Sequence, residues 1–233
     1  MKMDSFGRSG ATLTEQARRL NFRTARGPGQ PKHILLIDGE RLVNPAAAIE
    51  TLPRGSAVIL RDYDHPTRLE RALWLLGLCR KRGLRLLIGG DGRLAARIRA
   101  DGLHLPEGLA LTALRWRRLR PNWMITSAAH SYPALVRAAT ARVDAALLSP
   151  VFATLSHPHA AAIGPVRFAG LTHKSPVPVY ALGGIGPKTV SRLSRCGAVG
   201  IAAISGYGES VLEAQMRAEE EDLSVVDFVT QKP

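Results

Sequence analysis

Cysteine is nearly missing from this chain: Cys79 and Cys196 are the only two in 233 residues. Both fall on stretches of helical pattern, which excludes a disulfide framework and suits a reducing cytosol, so a cytoplasmic location is expected. Aromatic residues make up only 5% of the chain. A core built from aliphatic residues suits helices stacked on buried parallel strands. The basic N-terminal arm has few of the interleaved aromatics of a nucleic-acid surface, so no nucleic-acid partner is expected, with the arm and the basic helix Arg115 to Arg120 as the alternative. No apolar run is long enough to span a bilayer, and the first residues contain no apolar signal core. A membrane partner is not expected either. Acidic residues are scarce, 19 against 32 Lys and Arg, for a net charge of +13. Such a balance suits a solvated basic surface or an anionic small molecule.

What the chain does contain is organised around residues 178–207, PVYALGGIGPKTVSRLSRCGAVGIAAISGY. Residues 177–182 read as a strand buried on both faces, ended by Gly183-Gly184. Pro187 sits where a helix would begin, and Val190, Leu193 and Cys196 recur at helical spacing before Gly197. A second buried strand, 199–204, ends at Ser205-Gly206. Strand, helix and strand make a parallel βαβ unit, with glycines at both carboxyl ends. In a (β/α)8 barrel the last two strand ends commonly cradle phosphate on backbone N–H groups. Gly183, Gly184, Ile204 and Ser205 are the candidates here; the plain alternative is two glycine turns.

The rest of the chain fits that frame. Residues 1–31 are polar and basic and read as a flexible arm, with room for a short helix over 12–20. From residue 32 to 215, strands predicted at 33–37, 57–60, 84–88, 102–105, 124–128 and 145–152 alternate with helical segments. The clearest helix is 66–82, with Leu69, Ala72, Leu73, Leu76 and Cys79 on one face. With the last two, eight strands imply a (β/α)8 TIM barrel as a single domain, and an open doubly wound sheet is the runner-up. Residues 216–233 carry the acidic run Glu219-Glu220-Glu221-Asp222 and read as a solvated tail.

Four segments in order resemble the thiamine phosphate synthase family, which includes thiazole tautomerases of the same fold. Ala100-Asp101-Gly102-Leu103-His104-Leu105 resembles the family's Ala-Asp-Gly-Val-His-Leu. Ala128-Ala129-His130 resembles its Ser-x-His. Ser149-Pro150-Val151-Phe152-Ala153-Thr154, followed by Ser156, resembles its Gly-Pro-Ile-Phe-Pro-Thr. Ala181-Leu182-Gly183-Gly184-Ile185, with Ile204-Ser205, resembles its closing phosphate site. The resemblance runs from about residue 33 to 207. It implies a small phosphorylated thiazole as ligand, in a pathway where a pyrimidine diphosphate is the second substrate, with magnesium if the chain is a synthase. A homo-oligomer stays open.

The departures are equally specific. Where the synthases carry Gln-x-Arg-x-Lys, this chain has Ile59-Leu60-Arg61-Asp62-Tyr63, so only the arginine is kept. Asn-Asp-Arg becomes Gly89-Gly90-Asp91, the Gln-x-Asp after strand four becomes Glu107-Gly108-Leu109, and the expected lysine is His157. A diphosphate needs a metal or several cations to neutralise it. The changes therefore favour tautomerase-like proton transfer over full coupling, with a non-catalytic phosphate binder and a synthase with a relocated magnesium site as alternatives. His130, expected just past strand five, is the candidate acid–base group. Arg61, Thr154, Ser156 and His157 are the candidate phosphate or substrate ligands beside the glycine ends. Arg61 has Asp38 or Asp62 as its structural alternative. Asp91 and Glu107 are the candidate magnesium ligands, with a helix cap as the alternative for Asp91. His104 is expected as a packed core histidine.

Overall fold

The computed structural model describes residues 12–20, 22, 29–38, 42, 44–154 and 161–208. Eight strands follow one another: β1 (His33–Ile37), β2 (Ala57–Leu60), β3 (Arg85–Gly89), β4 (Gly102–Leu105), β5 (Met124–Ala129), β6 (Ala145–Leu148), β7 (Val179–Leu182) and β8 (Gly200–Ala203). Each pairs in parallel with the next, and β8 returns to β1 through His33↔Ile201, Ile34↔Ala202 and Leu35↔Ala203. The sheet is therefore a closed (β/α)8 barrel in strict sequence order, and the open sheet is excluded.

The strands form because both of their faces are buried. Ile34, Leu36, Ile59, Leu87, Leu147 and Tyr180 point into the barrel and pack on one another. The alternate residues, Leu35, Val58, Leu60, Leu86, Ile88 and Leu148, pack outward with the helical layer. Side chains on a strand alternate, so the inward set continues at the carboxyl ends into Asp38, Arg61, Gly89 and Ser149. At the opposite end Tyr180 donates its hydroxyl to the Pro31 carbonyl at 2.6 Å.

The outer layer comprises α1 (Leu13–Arg18), α2 (Pro45–Glu50), α3 (Arg68–Arg82), α4 (Gly92–Ile98), α5 (Ala113–Leu119), α6 (Tyr132–Thr140) and α7 (Pro165–Lys174). Side chains of Asn44, Asp91 and Ser131 accept the N–H three residues on, at 3.0, 2.9 and 3.3 Å, and start α2, α4 and α6. On α3 the buried stripe is Ala72, Leu75, Leu76 and Cys79. Leu73, expected inside, is half exposed because the helix is rotated towards Leu75. Gly83 then stops α3 at φ 65°. No helix among the described residues is long and apolar enough to cross a membrane.

The connection between β7 and β8 differs from expectation. In place of the α-helix suggested by Val190, Leu193 and Cys196 there is one 3₁₀ turn, Val190–Leu193. Thr189 is the local reason. Its hydroxyl accepts from Gly186 N–H at 3.0 Å and donates to the Gly184 carbonyl at 2.7 Å, tying the backbone into a loop. Further 3₁₀ turns, Glu107–Thr112 and Ser205–Tyr207, follow β4 and β8. Part of the expected basic arm is also structured: α1 lies against the turns after β7 and β8, with Leu13 and Ala17 buried. The acidic tail, 216–233, lies outside the described residues.

Candidate active site

The barrel's carboxyl ends divide into two sectors. The first lies after β7 and β8. Gly183 has φ 93° and Gly184 φ 63°, the left-handed region that glycine enters without strain. A Cβ at Gly184 would sit 2.4 Å from the Ala153 carbonyl oxygen, and one at Gly183 would sit 2.7 Å from Pro150 Cα. Only glycine lets this turn lie against the loop after β6, which extends the ladder through Val151 N–H to Leu182 O (2.9 Å) and Phe152 N–H to Gly183 O (3.0 Å). The Ser205–Tyr207 turn lies alongside, where Gly206 approaches the Ile185 carbonyl. Among the described residues the N–H groups of Gly183, Gly184, Ser205 and Gly206 have no hydrogen-bond acceptor. Four unpaired donors on two adjacent, half-buried turns are an anion-accepting surface.

The second sector lies after β2, β3 and β4. Arg61 N–H donates to Ile37 O at 2.7 Å, and its Nη1 is 3.8 Å from Asp38 Oδ2. Its Nε is buried with no hydrogen-bond partner among the described residues. Near it on the inward face, His104 Nδ1 is 2.9 Å from Thr126 Oγ1. Burial, with the neighbouring Arg61 charge, pushes His104 down to about 3, so the ring is neutral. It is the packed core histidine expected. Arg68, at the start of α3, reaches across to the Gly89 carbonyl and stands 3.7 Å from Asp91 Oδ2. The Tyr63 ring lies over Gly90, where a Cβ would be 3.0 Å from Tyr63 Cε1. Arg71 Nε pairs with the buried Asp62 carboxylate at 2.9 Å.

His130 sits on the rim between these sectors. Its Nδ1 is 2.9 Å from the Ser149 carbonyl, which can only accept, so Nδ1 carries the proton and Nε2 the lone pair when the ring is neutral. Its backbone N–H donates to Glu107 Oε2 at 3.0 Å, and Glu107 Oε1 accepts from Arg137 at 2.5 Å. His130, Glu107 and Arg137 line a shallow cavity of about 380 Å³ on the side of α6.

Of the residues singled out from the sequence, Gly183, Gly184, Ile204 and Ser205 come together. Arg61 lies on the inward face after β2, and Thr154 is half-buried at the end of the described loop after β6. Ser156 and His157 lie outside the described residues. Asp91 and Glu107 do not gather into a metal site. Asp91 caps α4 and faces Arg68, Glu107 holds Arg137 and the His130 N–H, and no cluster of three metal-ligating residues exists among the described residues. As placed, these carboxylates do not fit magnesium. Arg68 and Arg137 were missed because α3 and α6 bring them to the rim from a distance in sequence, and nothing local shows that the Tyr63 ring, two residues past Arg61, lies over Gly90. The signal available was slight: arginines in the first two turns of helices that follow strand ends.

These observations define a class first: a closed (β/α)8 barrel with its polar and glycine-bearing groups at the carboxyl ends of the strands. The family then follows. The model of the thiamine monophosphate synthase family matches residues 36–207. The thiamine-phosphate synthase of Chromobacterium violaceum is 35% identical over 174 residues, 73% of this chain and 83% of that protein. That of Chloroflexus aurantiacus is 34% identical over 167 residues, 68% of this chain and 76% of that protein. Thiamine phosphate pyrophosphorylase from Pyrococcus furiosus superposes with a TM-score of 0.63 at 23% identity, covering 75% of this chain and 86% of that one, and shares the fold. The chain belongs to the thiamine monophosphate synthase family, a family of thiamine biosynthesis.

Proposed function

We propose that the protein holds a thiazole phosphate on the N–H groups of Gly183, Gly184, Ser205 and Gly206, and that His130 moves a proton on the thiazole ring. The Ser149 carbonyl holds Nδ1–H and leaves Nε2 as base. Nε2 takes a proton from one ring position, the exposed imidazolium that forms trades protons with solvent, and one proton is returned at another position; the net change is isomerisation with no co-reactant. The observation that carries this reading over diphosphate coupling is the state of the acidic residues. Asp91 and Glu107 are each committed to an arginine and a backbone N–H. Neither is placed to share a magnesium ion.

Coupling to a pyrimidine diphosphate is the second reading. Relatives at 34–35% identity are named synthases, and the unpaired Arg61 Nε favours an anion in that sector. The test is the purified full chain with thiazole phosphate in deuterated water, followed by ring-proton exchange, beside the same protein with pyrimidine diphosphate and magnesium. Exchange is expected to drop about 10²–10⁴-fold in His130→Ala, and thiamine phosphate formation is expected to be weak. Robust coupling insensitive to His130→Ala would overturn the proposal in favour of the synthase. Binding with neither reaction would leave a non-catalytic phosphate binder.

A further inference from the structure

We infer that α1, which precedes the stretch matched by the family, is a positioning element for the two turns of the anion site, and that Leu13 is its key residue. The inference rests on the phosphate reading above for its consequence, though its geometry stands alone. α1 is short but locally closed by a capping box: Glu15 N–H donates to Thr12 Oγ1 at 3.3 Å, and Thr12 N–H donates to Glu15 Oε2 at 2.8 Å. Six residues do not hold a helix in water, so its persistence depends on the face it buries. That face is Leu13, Thr14 and Ala17, and it lies on the turns Val190–Leu193 and Ser205–Tyr207.

Gly206 is the point of contact. A Cβ there would be 2.3 Å from the Ile185 carbonyl oxygen, 2.8 Å from Leu13 Cδ2 and 3.0 Å from Ala203 Cβ. The backbone of Gly206 is thus clamped between the loop that carries Gly183-Gly184 and the side chain of Leu13. α1 and the turn are each tied to the frame as well. Thr14 Oγ1 donates to the Thr51 carbonyl at 3.3 Å, while the Thr51 hydroxyl gives its proton to the Ala48 carbonyl at 2.8 Å. The Tyr207 hydroxyl is 3.0 Å from His33 Nδ1 at the start of β1. The direction of the Ser205 and Gly206 N–H groups is therefore set by a helix that touches neither ligand nor strand end. Donors must stay within a few tenths of an ångström of their acceptors to work as a set. Leu13 acts on the anion through Gly206.

The test compares Leu13→Ala and Leu13→Met in the full chain, since methionine nearly conserves volume. The first readout is the Kd for inorganic phosphate and for thiazole phosphate by calorimetry, at a temperature where both variants are folded. The second is amide hydrogen exchange. Leu13→Ala is expected to raise Kd about tenfold and to speed exchange at residues 183–186 and 204–207, while β3 to β5 are unchanged; Leu13→Met restores both. A purely structural role would lower the thermal midpoint and leave Kd unchanged, and that result overturns the inference. Faster exchange at both turns with no phosphate binding even in the wild type would overturn the phosphate reading and keep α1 as their support. Uniform exchange changes across the barrel would sink the support role itself.

Discussion

The two halves of the barrel mouth solve opposite problems. After β7 and β8 the chain presents bare backbone: glycines at φ 93° and 63° and, among the described residues, four N–H groups without acceptors. After β2 to β4 it presents charged side chains that mostly have partners, although the buried Arg61 Nε has none among the described residues. Arg68 is bound to the Gly89 carbonyl, Asp91 to the Leu94 N–H, and Arg71 to Asp62. Backbone donors do not depend on the identity of their own side chains, so a site made of amides tolerates sequence change as long as the contacts that support its turns, such as Leu13 on Gly206, are kept. A site made of carboxylates is lost once each carboxylate finds an arginine.

The comparison breaks most directly at Ser205. Placing a carboxylate among the cradle's donors with Ser205→Asp is expected to weaken thiazole phosphate binding by at least about a hundredfold, read by calorimetry, because like charges meet at short range. Unchanged affinity would show that the anion sits in the other sector, on Arg61.

Acid separates the wall from the cradle, because amides do not titrate. Burial, with Arg18 nearby, lowers His33 to about 4, and burial with Arg61 lowers His104 to about 3. Both folded values lie below the ordinary 6.5. The unfolded chain therefore binds more protons, and the stability these groups contribute is full above pH 6.5 and is lost as pH falls towards 4 and 3. Each contributes a slope of up to about 1.4 kcal/mol per pH unit. Denaturant midpoints measured from pH 7 to 4 should fall accordingly, and His33→Asn should flatten the curve. A flat wild-type profile would contradict the buried, neutral state of both rings.

Gly184→Ala tests the backbone sector from within. Its positive φ and the 2.4 Å approach to the Ala153 carbonyl predict a loss of about 1–3 kcal/mol and a lower thermal midpoint. The smallest effect is expected from Asp91→Ala. Removing the α4 cap should cost about 1 kcal/mol and leave thiazole phosphate affinity unchanged. Loss of magnesium-dependent coupling in that variant would return Asp91 to the metal.

The strands were legible because burial on both faces writes them as continuous aliphatic runs, and closure followed from counting eight of them. The Gly183-Gly184 pair marked the end of β7, since few other residues tolerate those angles. The turn after β7 was not legible: Val190, Leu193 and Cys196 fit a helix equally well, and only the Thr189 hydrogen bonds decide against it. Nor did any local pattern reveal that Leu13 meets Gly206 or that Tyr63 lies over Gly90, because both contacts join distant parts of the chain. Asp91 sits between. A helix cap is the alternative that the sequence offers to a magnesium ligand there, and the bond to Leu94 N–H and the pairing with Arg68 needed the fold.

The seam between β1 and β8 has a consequence for how the barrel is completed. It joins the first strand to the last, through three residue pairs, and so carries the greatest loop-closure cost of any pairing in the sheet. The turn after β8 adjoins that seam, with Tyr207 reaching back to His33 across it. On the proposed reading, a phosphate held on that turn would bind only a chain whose ring of strands has closed. At a hundred times its Kd it would favour that state by about 2.7 kcal/mol. The ligand would then act as a latch on the seam, and the barrel's resistance to opening would become a function of how much substrate surrounds it.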